Sequence, residues 1–535
     1  MRETVGRGKR CNASDMVDRQ VKAGRGAAPA IVAEDATLTY DELRRQINRA
    51  AALLRDLGVR REQRVLLVLD DTTVFPIVFL GAMRIGAIPV PVSPLDKDDN
   101  FRHFIDDSYA ELVATDAATL ERLARALGDR QIRWLVRGAT GNNVVELDEA
   151  MNGQSEELDA VATHRDDMAF WLYSSGSTGR PKGVVHLHHD IGVTCENYAR
   201  QVLGLTESDI TFSTTKLFHA YGLGNGLSFP LWLGATAVLM RGPTRPEPIL
   251  ETLRRHRPTV FFSVPALFGA IVGEPAADGA LESVRFCVSA AEALPPTTIQ
   301  RWRDRFGVDI VDGIGSTEML HIYCSNRPDR IEPGTTGWPV PGYELRLVDD
   351  RGELLEGPTV GALQVRGDSG AAYYWHQHEK SKSSMLGEWF ATGDRYERRE
   401  DGTYTYVGRI DDMLKVGGLW VSPLDMEHTL MEHPRVGGVG IVGITQQGAS
   451  RIAAYVQCAG EPADDALAEE LRTWCKQRLR RYEYPHVVKF VDELPRTLTG
   501  KVQRFRLREW AATVAQAEPE AVRVESDPGL GVGSP

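Results

Sequence analysis

Residues 173–186 read YSSGSTGRPKGVVH, and the fold of the whole chain follows from how this stretch is read. The apolar run AFWLY at 169–173 leads into a loop of serine, glycine and threonine, and Lys182 follows before Val184 and Val185. Glycines let several backbone N–H groups converge on one anion, hydroxyls add donors, and a lysine adds charge. That combination suits a polyphosphate gripped between two strands. It is not a Walker A loop, because Gly176 is not followed at the required spacing by Gly-Lys-Ser/Thr. The candidate phosphate groups are Ser174, Ser175, Gly176, Ser177, Thr178, Gly179 and Lys182. A flexible linker would need neither the lysine nor the flanking strands.

Outward from this loop, strand and helix patterns alternate. Residues 37–58 (TLTYDELRRQINRAAALLRDLG) carry leucines and alanines at helical spacing and close on Gly58. RVLLVLD at 64–70 reads as a buried strand, and residues 75–94 as helix, turn and strand. ELVATD is followed by a helix over 117–127 and by IRWLVRG, and farther on TVFFSV, a helix after Pro265 and RFCVSA continue the rhythm. Such alternation predicts layered α/β architecture with largely parallel sheets. From about Gly337 to Tyr406 the segments YELRLVDD, GALQVRG and TYTYVG, separated by Gly and Asp turns, predict a smaller antiparallel, β-barrel-like region. Beyond Gly408 to Asp412 lies a small α+β unit with strands VGIVGI and RIAAYVQC and a helix expected over 466–482. The expected domains are therefore 1–410, 411–517, and a disordered tail over 518–535, rich in Pro, Gly and Glu.

Composition narrows the function classes. A chain of 535 residues exceeds one compact core, and 42% hydrophobic with 25% charged residues is ordinary for a globular protein. The net charge of −12 argues against a nucleic-acid binder, which needs a basic face. Cys11, Cys195, Cys287, Cys324, Cys458 and Cys475 are scattered without a C-x-x-C pair, so they read as free thiols of a reducing compartment. The charged N-terminus has no apolar stretch behind it, and no apolar run approaches the ~20 residues of a membrane span. Neither a signal peptide nor a membrane association is expected, and the expected location is the cytoplasm.

YSSGSTGRPKGVVH resembles the phosphate-binding signature of the adenylate-forming superfamily, which comprises acyl- and aryl-CoA ligases, amino-acid adenylation domains and luciferases. The resemblance recurs in order from about Thr37 to Arg508. It implies a large adenylation domain, a small mobile C-terminal domain, and ATP, Mg2+ and coenzyme A as cofactors. GIGSTE at 313–318 resembles the next motif, which implies that Gly313 and Ile314 lie at the nucleotide, that Thr317 contacts the α-phosphate, and that Glu318 with Thr178 holds Mg2+. Many members carry an aromatic residue at the position of Ile314; isoleucine there resembles the benzoate–CoA ligase subgroup. GEWFATGD ends in Asp394, which by resemblance accepts both ribose hydroxyls, and Arg409 would contact ribose or phosphates. Lys501 in LPRTLTGKVQR resembles the catalytic lysine that bridges the attacking carboxylate and the α-phosphate. Asp411 would be the pivot of the mobile domain, and the loop Lys415 to Gly418, with Gly417 paired to Gly418, would line a pantetheine tunnel. A plain β-turn fits that loop as well.

The acid pocket is expected between residues 216–226 (KLFHAYGLGNG) and 289–291, closed by 313–315. Its candidate lining is Lys216, His219, Ala220, Tyr221, Gly222, Ser289, Ala290, Ala291 and Gly315. No aspartate follows the aromatic segment to pair a substrate ammonium, so an α-amino acid is not expected. KLFHAYGLGNGL, DGIGSTEML, GTTGWPVPGYELRLVDD and DDMLKVGGLWVSP resemble benzoate–CoA ligases, which implies an aromatic carboxylic acid, a substituted benzoate, as substrate. His219 stands where that subgroup often has phenylalanine, and Ala291 where it usually has glycine. His219 is compatible with gating, with a bond to a ring substituent, and with simple packing. The histidines His186, His188 and His189 read as polar residues at a helix start rather than a metal site. The acceptor is CoA or an acyl carrier protein's phosphopantetheine, both offering the same thiol; a non-catalytic adenylate-binding regulator is disfavoured by the intact motifs. A monomer and a homodimer are both compatible with the sequence.

Overall fold

The structure, a computed structural model, describes residues 11–174, 180–416, 419–446, 449–460, 463–480, 483–496 and 502–517. Two compact units divide between Val407 and Gly408. Gly408, Arg409 and Ile410, assigned from sequence to the first domain, thus fall with the second unit. Residues 518–535 lie outside the described residues.

In the first unit, the helix Tyr40–Asp56 begins where Thr39 and Glu42 form a reciprocal capping box, with Thr39 Oγ1 accepting from the Glu42 N–H at 3.2 Å. It stops before Gly58, whose φ is +80°. Its buried face meets the helix Val74–Arg84, where a Cβ on Gly81 would lie 3.0 Å from that of Ala50. These helices cover a five-stranded parallel sheet in the order Ile88–Pro91, Arg64–Val68, Leu112–Asp116, Arg133–Arg137, Val144–Glu146. The helix Ala117–Leu127 occupies the predicted residues and ends at Gly128 in a positive-φ conformation.

The second sheet has nine strands, and its parallel centre supplies the pocket walls. Thr236–Val238, Ile210–Ser213, Val260–Ser263, Phe286–Ser289 and Ile310–Gly315 run side by side in that order. Antiparallel strands Ile322–Ser325 and Trp338–Pro339 extend it on one side. All four residues of Val260–Ser263 and of Phe286–Ser289 are buried, as expected of strands covered on both faces. A three-stranded sheet joins Met168–Ser174, Lys182–Leu187 and Tyr373–Tyr374. The predicted β region is a six-stranded antiparallel sheet built around Tyr343–Val348, Thr359–Gly367 and Trp389–Arg398.

The second unit packs the helices Pro423–Met431, Asp465–Arg478 and Arg504–Ala517 with the antiparallel strands Val436–Gln446 and Ala449–Cys458 and the parallel strand Val487–Phe490. The helix expected to run to Tyr482 ends at Arg478, because Leu479 turns extended and packs on this unit's core. Lys476 and Arg478 there lie over the rings of Tyr484 and Trp474 at 4.5 and 3.4 Å, respectively. Among the described residues no helix is long and apolar enough to cross a membrane. All six cysteines are free.

Candidate active site

Ser174 pairs with Lys182 across the hairpin that brackets the glycine-rich loop; Ser175, Gly176, Ser177, Thr178 and Gly179 lie outside the described residues. Lys182 projects its ammonium to 5.0 Å from the centre of the Tyr374 ring. The Tyr374 hydroxyl donates to Glu318 Oε1 at 2.8 Å. One aromatic side chain thereby places the loop lysine and the expected Mg2+ carboxylate in a single cluster, which composition and spacing did not reveal.

The strand Ile310–Gly315 delivers Thr317 and Glu318. Gly313 and Gly315 are required by close approach: a Cβ would meet the Cys324 carbonyl oxygen at 2.9 Å and the His321 carbonyl oxygen at 2.6 Å. A bulge after Ile314 turns the chain into a single helical turn, Thr317–Met319, which Ser316 Oγ caps at 3.3 Å from the Met319 N–H. The Glu318 carbonyl accepts from the Ala371 N–H at 2.7 Å and the Met319 carbonyl from Ser369 Oγ at 2.8 Å. Because Ser369 donates to Met319, the Tyr343 hydroxyl 2.6 Å away must donate to Ser369.

Asp394 owes its place to a second bulge. Gly393 has φ +77°, Thr392 Oγ1 donates to the Leu363 carbonyl at 3.0 Å, and the Asp394 N–H donates to Thr392 Oγ1 at 3.1 Å. The sequence Ala-Thr-Gly-Asp thus builds its own kink, and Asp394 is buried on the face shared with Phe390 and Tyr396. Arg409 ends the strand Tyr404–Arg409 in the second unit, and Asp411 sits in the turn Ile410–Asp412. The backbone of Lys415 belongs to a hairpin pairing Leu414–Val416 with Leu419–Val421; Gly417, Gly418 and Lys501 lie outside the described residues.

The expected acid pocket comes together around Tyr221. Its ring is partly buried and its hydroxyl donates to the Val288 carbonyl at 2.9 Å, tying the segment 216–226 to the strand that leads to Ser289, Ala290 and Ala291. Burial drives this phenol well above its usual pKa, so it stays protonated. Ala220 and Gly222 flank it in the short helix Ala220–Leu223, and a Cβ on Gly222 would lie 2.1 Å from the Lys216 carbonyl oxygen. His219 precedes that helix with its ring 4.7 Å from that of Phe218. Ala291 has φ +81°, a left-handed conformation that explains why glycine is the easier residue there. Lys216 departs from the expectation of a substrate contact. Its ammonium is held by Asp70 Oδ1 at 3.0 Å and by the Met240 carbonyl, so it buttresses the wall from behind.

Below Tyr221 lies a polar floor the sequence reading did not single out. His321 Nε2 meets Asn225 Oδ1 at 3.1 Å, inside a ring of Tyr198, Tyr221 and Phe229. Burial lowers His321 to a pKa of about 3, leaving it neutral. Asp312, on the strand paired with Ser289, is pushed well above the carboxylate range by burial. The three histidines near the loop are taken up by structural contacts, His186 and His189 both facing Asp190. His188 Nδ1 accepts from the Ala13 N–H at 3.2 Å, while His189 faces the carbonyls of Arg165 and Asp368 at 2.8 and 2.9 Å. Among the described residues no group of three or more His, Cys, Asp or Glu is arranged for a metal. A cavity of about 290 Å3 at the carboxyl ends of the five-stranded sheet is lined by Asp70, Asp116, Arg122 and Arg241, and of the groups above it shares only Asp70.

Comparison with known proteins matches residues 17–375 to the AMP-binding enzyme family and residues 425–501 to the AMP-binding enzyme C-terminal domain. The benzoate–CoA ligase of Thauera aromatica is 43% identical over 504 residues, spanning 93% of this chain and 95% of that one. The 4-hydroxybenzoate–CoA/benzoate–CoA ligase of Rhodopseudomonas palustris is 41% identical over 527 residues, 97% of each chain. Among solved structures, a benzoate CoA ligase from Burkholderia xenovorans LB400 superposes with a TM-score of 0.87 at 41% identity, covering 93% of this chain and 99% of that one.

Proposed function

The chain belongs to the AMP-binding enzymes, and from that premise we propose how its residues divide the work of ligation. It is an ATP-dependent, AMP-forming acid–thiol ligase of the benzoate–CoA ligase type. A carboxylate oxygen of the aryl acid attacks the α-phosphorus of ATP and pyrophosphate leaves. The thiol sulfur of CoA then attacks the carbonyl carbon, AMP leaves, and the thiol proton passes to solvent.

The observation that carries the residue assignment is the Lys182–Tyr374–Glu318 cluster beside the Thr317 turn. Lys182 and Ser174 to Gly179 are assigned to the β- and γ-phosphates, Thr317 to the α-phosphate, and Asp394 with Arg409 to the ribose side. Mg2+ fits this site, because Glu318 offers hard carboxylate oxygen and the nucleotide supplies the rest. When bound, the cation offsets charge on the departing pyrophosphate. The proposed partner ligand Thr178 and the proposed catalytic Lys501 lie outside the described residues. Tyr221, Ala220, Gly222, Ala290, Ala291 and Gly315 are assigned to the aryl ring, whose flat faces suit these small and aromatic surfaces. His219 is assigned to the pocket's mouth.

Pyrophosphate release across benzoate and its hydroxy, amino and halo derivatives tests the acid, and straight-chain fatty acids outrunning all aryl acids would refute the pocket. Thioester formation with free CoA against a phosphopantetheinylated carrier protein tests the acceptor, with CoA expected to be faster. Lys501→Ala should abolish adenylate formation while sparing thioester formation from supplied aryl-AMP. Equal loss of both would refute the assigned division of labour.

A further inference from the structure

His186 stands four residues past Lys182 on the strand Lys182–Leu187, with a fully buried side chain. Its ring stacks on Phe170 at a centroid distance of 5.2 Å and 19° between planes, so its orientation is fixed by packing. Nδ1 lies 2.8 Å from Asp190 Oδ2, and Nε2 lies 2.8 Å from the backbone carbonyl of Thr317. A carbonyl only accepts, so Nε2 must carry a proton. Asp190 Oδ2 accepts the Leu187 N–H at 3.0 Å, and Oδ1 lies 3.3 Å from His189 Nε2. A second proton therefore lies between Nδ1 and this carboxylate, and the His186–Asp190 pair holds both.

We propose that His186 is a positioning residue of the adenylation site, oriented by Asp190 and donating to the Thr317 carbonyl so as to fix the turn that projects Thr317 and Glu318. The inference rests on the phosphate and Mg2+ roles proposed for those two side chains. With it, each of the three consecutive carbonyls of Thr317, Glu318 and Met319 accepts a hydrogen bond from outside the turn: the first from His186, the other two from Ala371 and Ser369 of the loop that precedes Tyr373–Tyr374. His189 reinforces the third by holding the carbonyl of Asp368, next to Ser369. The strand that begins at the loop lysine thus also sets the height of the turn opposite. Loss of this donor leaves the Thr317 carbonyl with only the Leu320 N–H of its own turn, at 3.0 Å, and cuts the turn's tie to the neighbouring strand, which lets the turn shift, an outer contact acting on groups that touch the nucleotide.

The test uses the full chain with His186→Phe, which keeps the flat ring and its stack, and His186→Gln, which keeps one donor. In ATP–pyrophosphate exchange with benzoate, His186→Phe should raise KM for MgATP and lower kcat, with a combined loss of about tenfold or more. KM for CoA in thioester formation from supplied benzoyl-AMP should stay unchanged, and His186→Gln should recover part of the loss. Nitrogen NMR of ring-labelled histidine should show Nε2 protonated in the wild type. Unchanged exchange kinetics in His186→Phe, a rise in KM for CoA matching that for MgATP, or an unprotonated Nε2 would overturn the proposal. Glu318→Gln separates the two layers of the argument. If it abolishes exchange while His186→Phe does not, the positioning role alone fails; if it leaves exchange intact, the assigned role of Glu318 fails and the inference with it.

Discussion

Replacing Asp71 by asparagine should stabilise the protein, and by more as the pH rises. Asp71 is buried in the bend three residues past the strand Arg64–Val68, where Oδ1 accepts the Leu217 N–H at 3.1 Å and so anchors the segment of the acid pocket. Burial, only partly offset by Lys216 and the Leu217 N–H, lifts its pKa from 3.8 to about 7. The native state therefore holds the proton more tightly than the unfolded chain. Its contribution to stability is fully present below the unfolded value of 3.8 and is lost as the pH rises through about 7. At about 1.4 kcal/mol for each unit between those values, the native state loses roughly 2–3 kcal/mol from this group between pH 5 and pH 8. Asparagine keeps an oxygen for Leu217 and never ionises, so Asp71→Asn escapes that loss. Thermal midpoints of both proteins, scanned at one rate from pH 5 to pH 8, should diverge steadily, with the variant higher by a few degrees at pH 8. A difference that is constant across this range, or that narrows with pH, would refute the reasoning.

Three further changes follow from the geometry. Tyr374→Phe removes the 2.8 Å bond to Glu318, which should slow pyrophosphate release by about tenfold and raise the Mg2+ concentration for half-maximal rate; an unaltered Mg2+ dependence would remove Tyr374 from the site. Arg504→Met strips its partner from the buried Glu427, which also accepts the Ile441 N–H at 2.8 Å. Burial already raises that carboxyl, so the variant should lose about 3 kcal/mol of stability and lose more as the pH rises, checked by melting of the second unit. Ala291→Gly frees a residue from φ +81° and should raise the thermal midpoint slightly while admitting bulkier ring substituents, read from KM across substituted benzoates.

What the sequence disclosed and what it withheld divide along chain separation. The helix Ala117–Leu127 was legible to the residue because its apolar spacing and its terminal Gly128 are local. The motifs placing Thr317, Glu318 and Asp394 were legible as strings, yet the bulge that seats Asp394 depends on Leu363, a partner from another strand. Tyr374 and His186 were missed because their meaning lies in contacts 56 and 131 residues away. A tyrosine after an exposed tyrosine, or a histidine on a buried strand, has no periodic signature. Lys216 misled for the opposite reason. A lysine beside an expected pocket suggests a ligand, but Asp70, which claims it, lies 146 residues upstream. The overlong helix after Ala466 shows how a favourable helical pattern yields when Leu479 finds the core instead.

The turn Ile410–Asp412 bears on how the second unit would move. Asp412 accepts from Arg508 at 2.5 Å and faces Arg504 at 3.5 Å, while Arg508 also reaches the Asp411 carbonyl at 3.4 Å. Arg504 and Arg508 belong to the helix Arg504–Ala517, which begins three residues after Lys501. In mechanical terms, Asp412 is bolted to the helix Arg504–Ala517 by two guanidinium clamps, so within the second unit the turn and the helix form one stiff piece, and the torsional compliance next to it is left to the few bonds from Gly408 to Asp411.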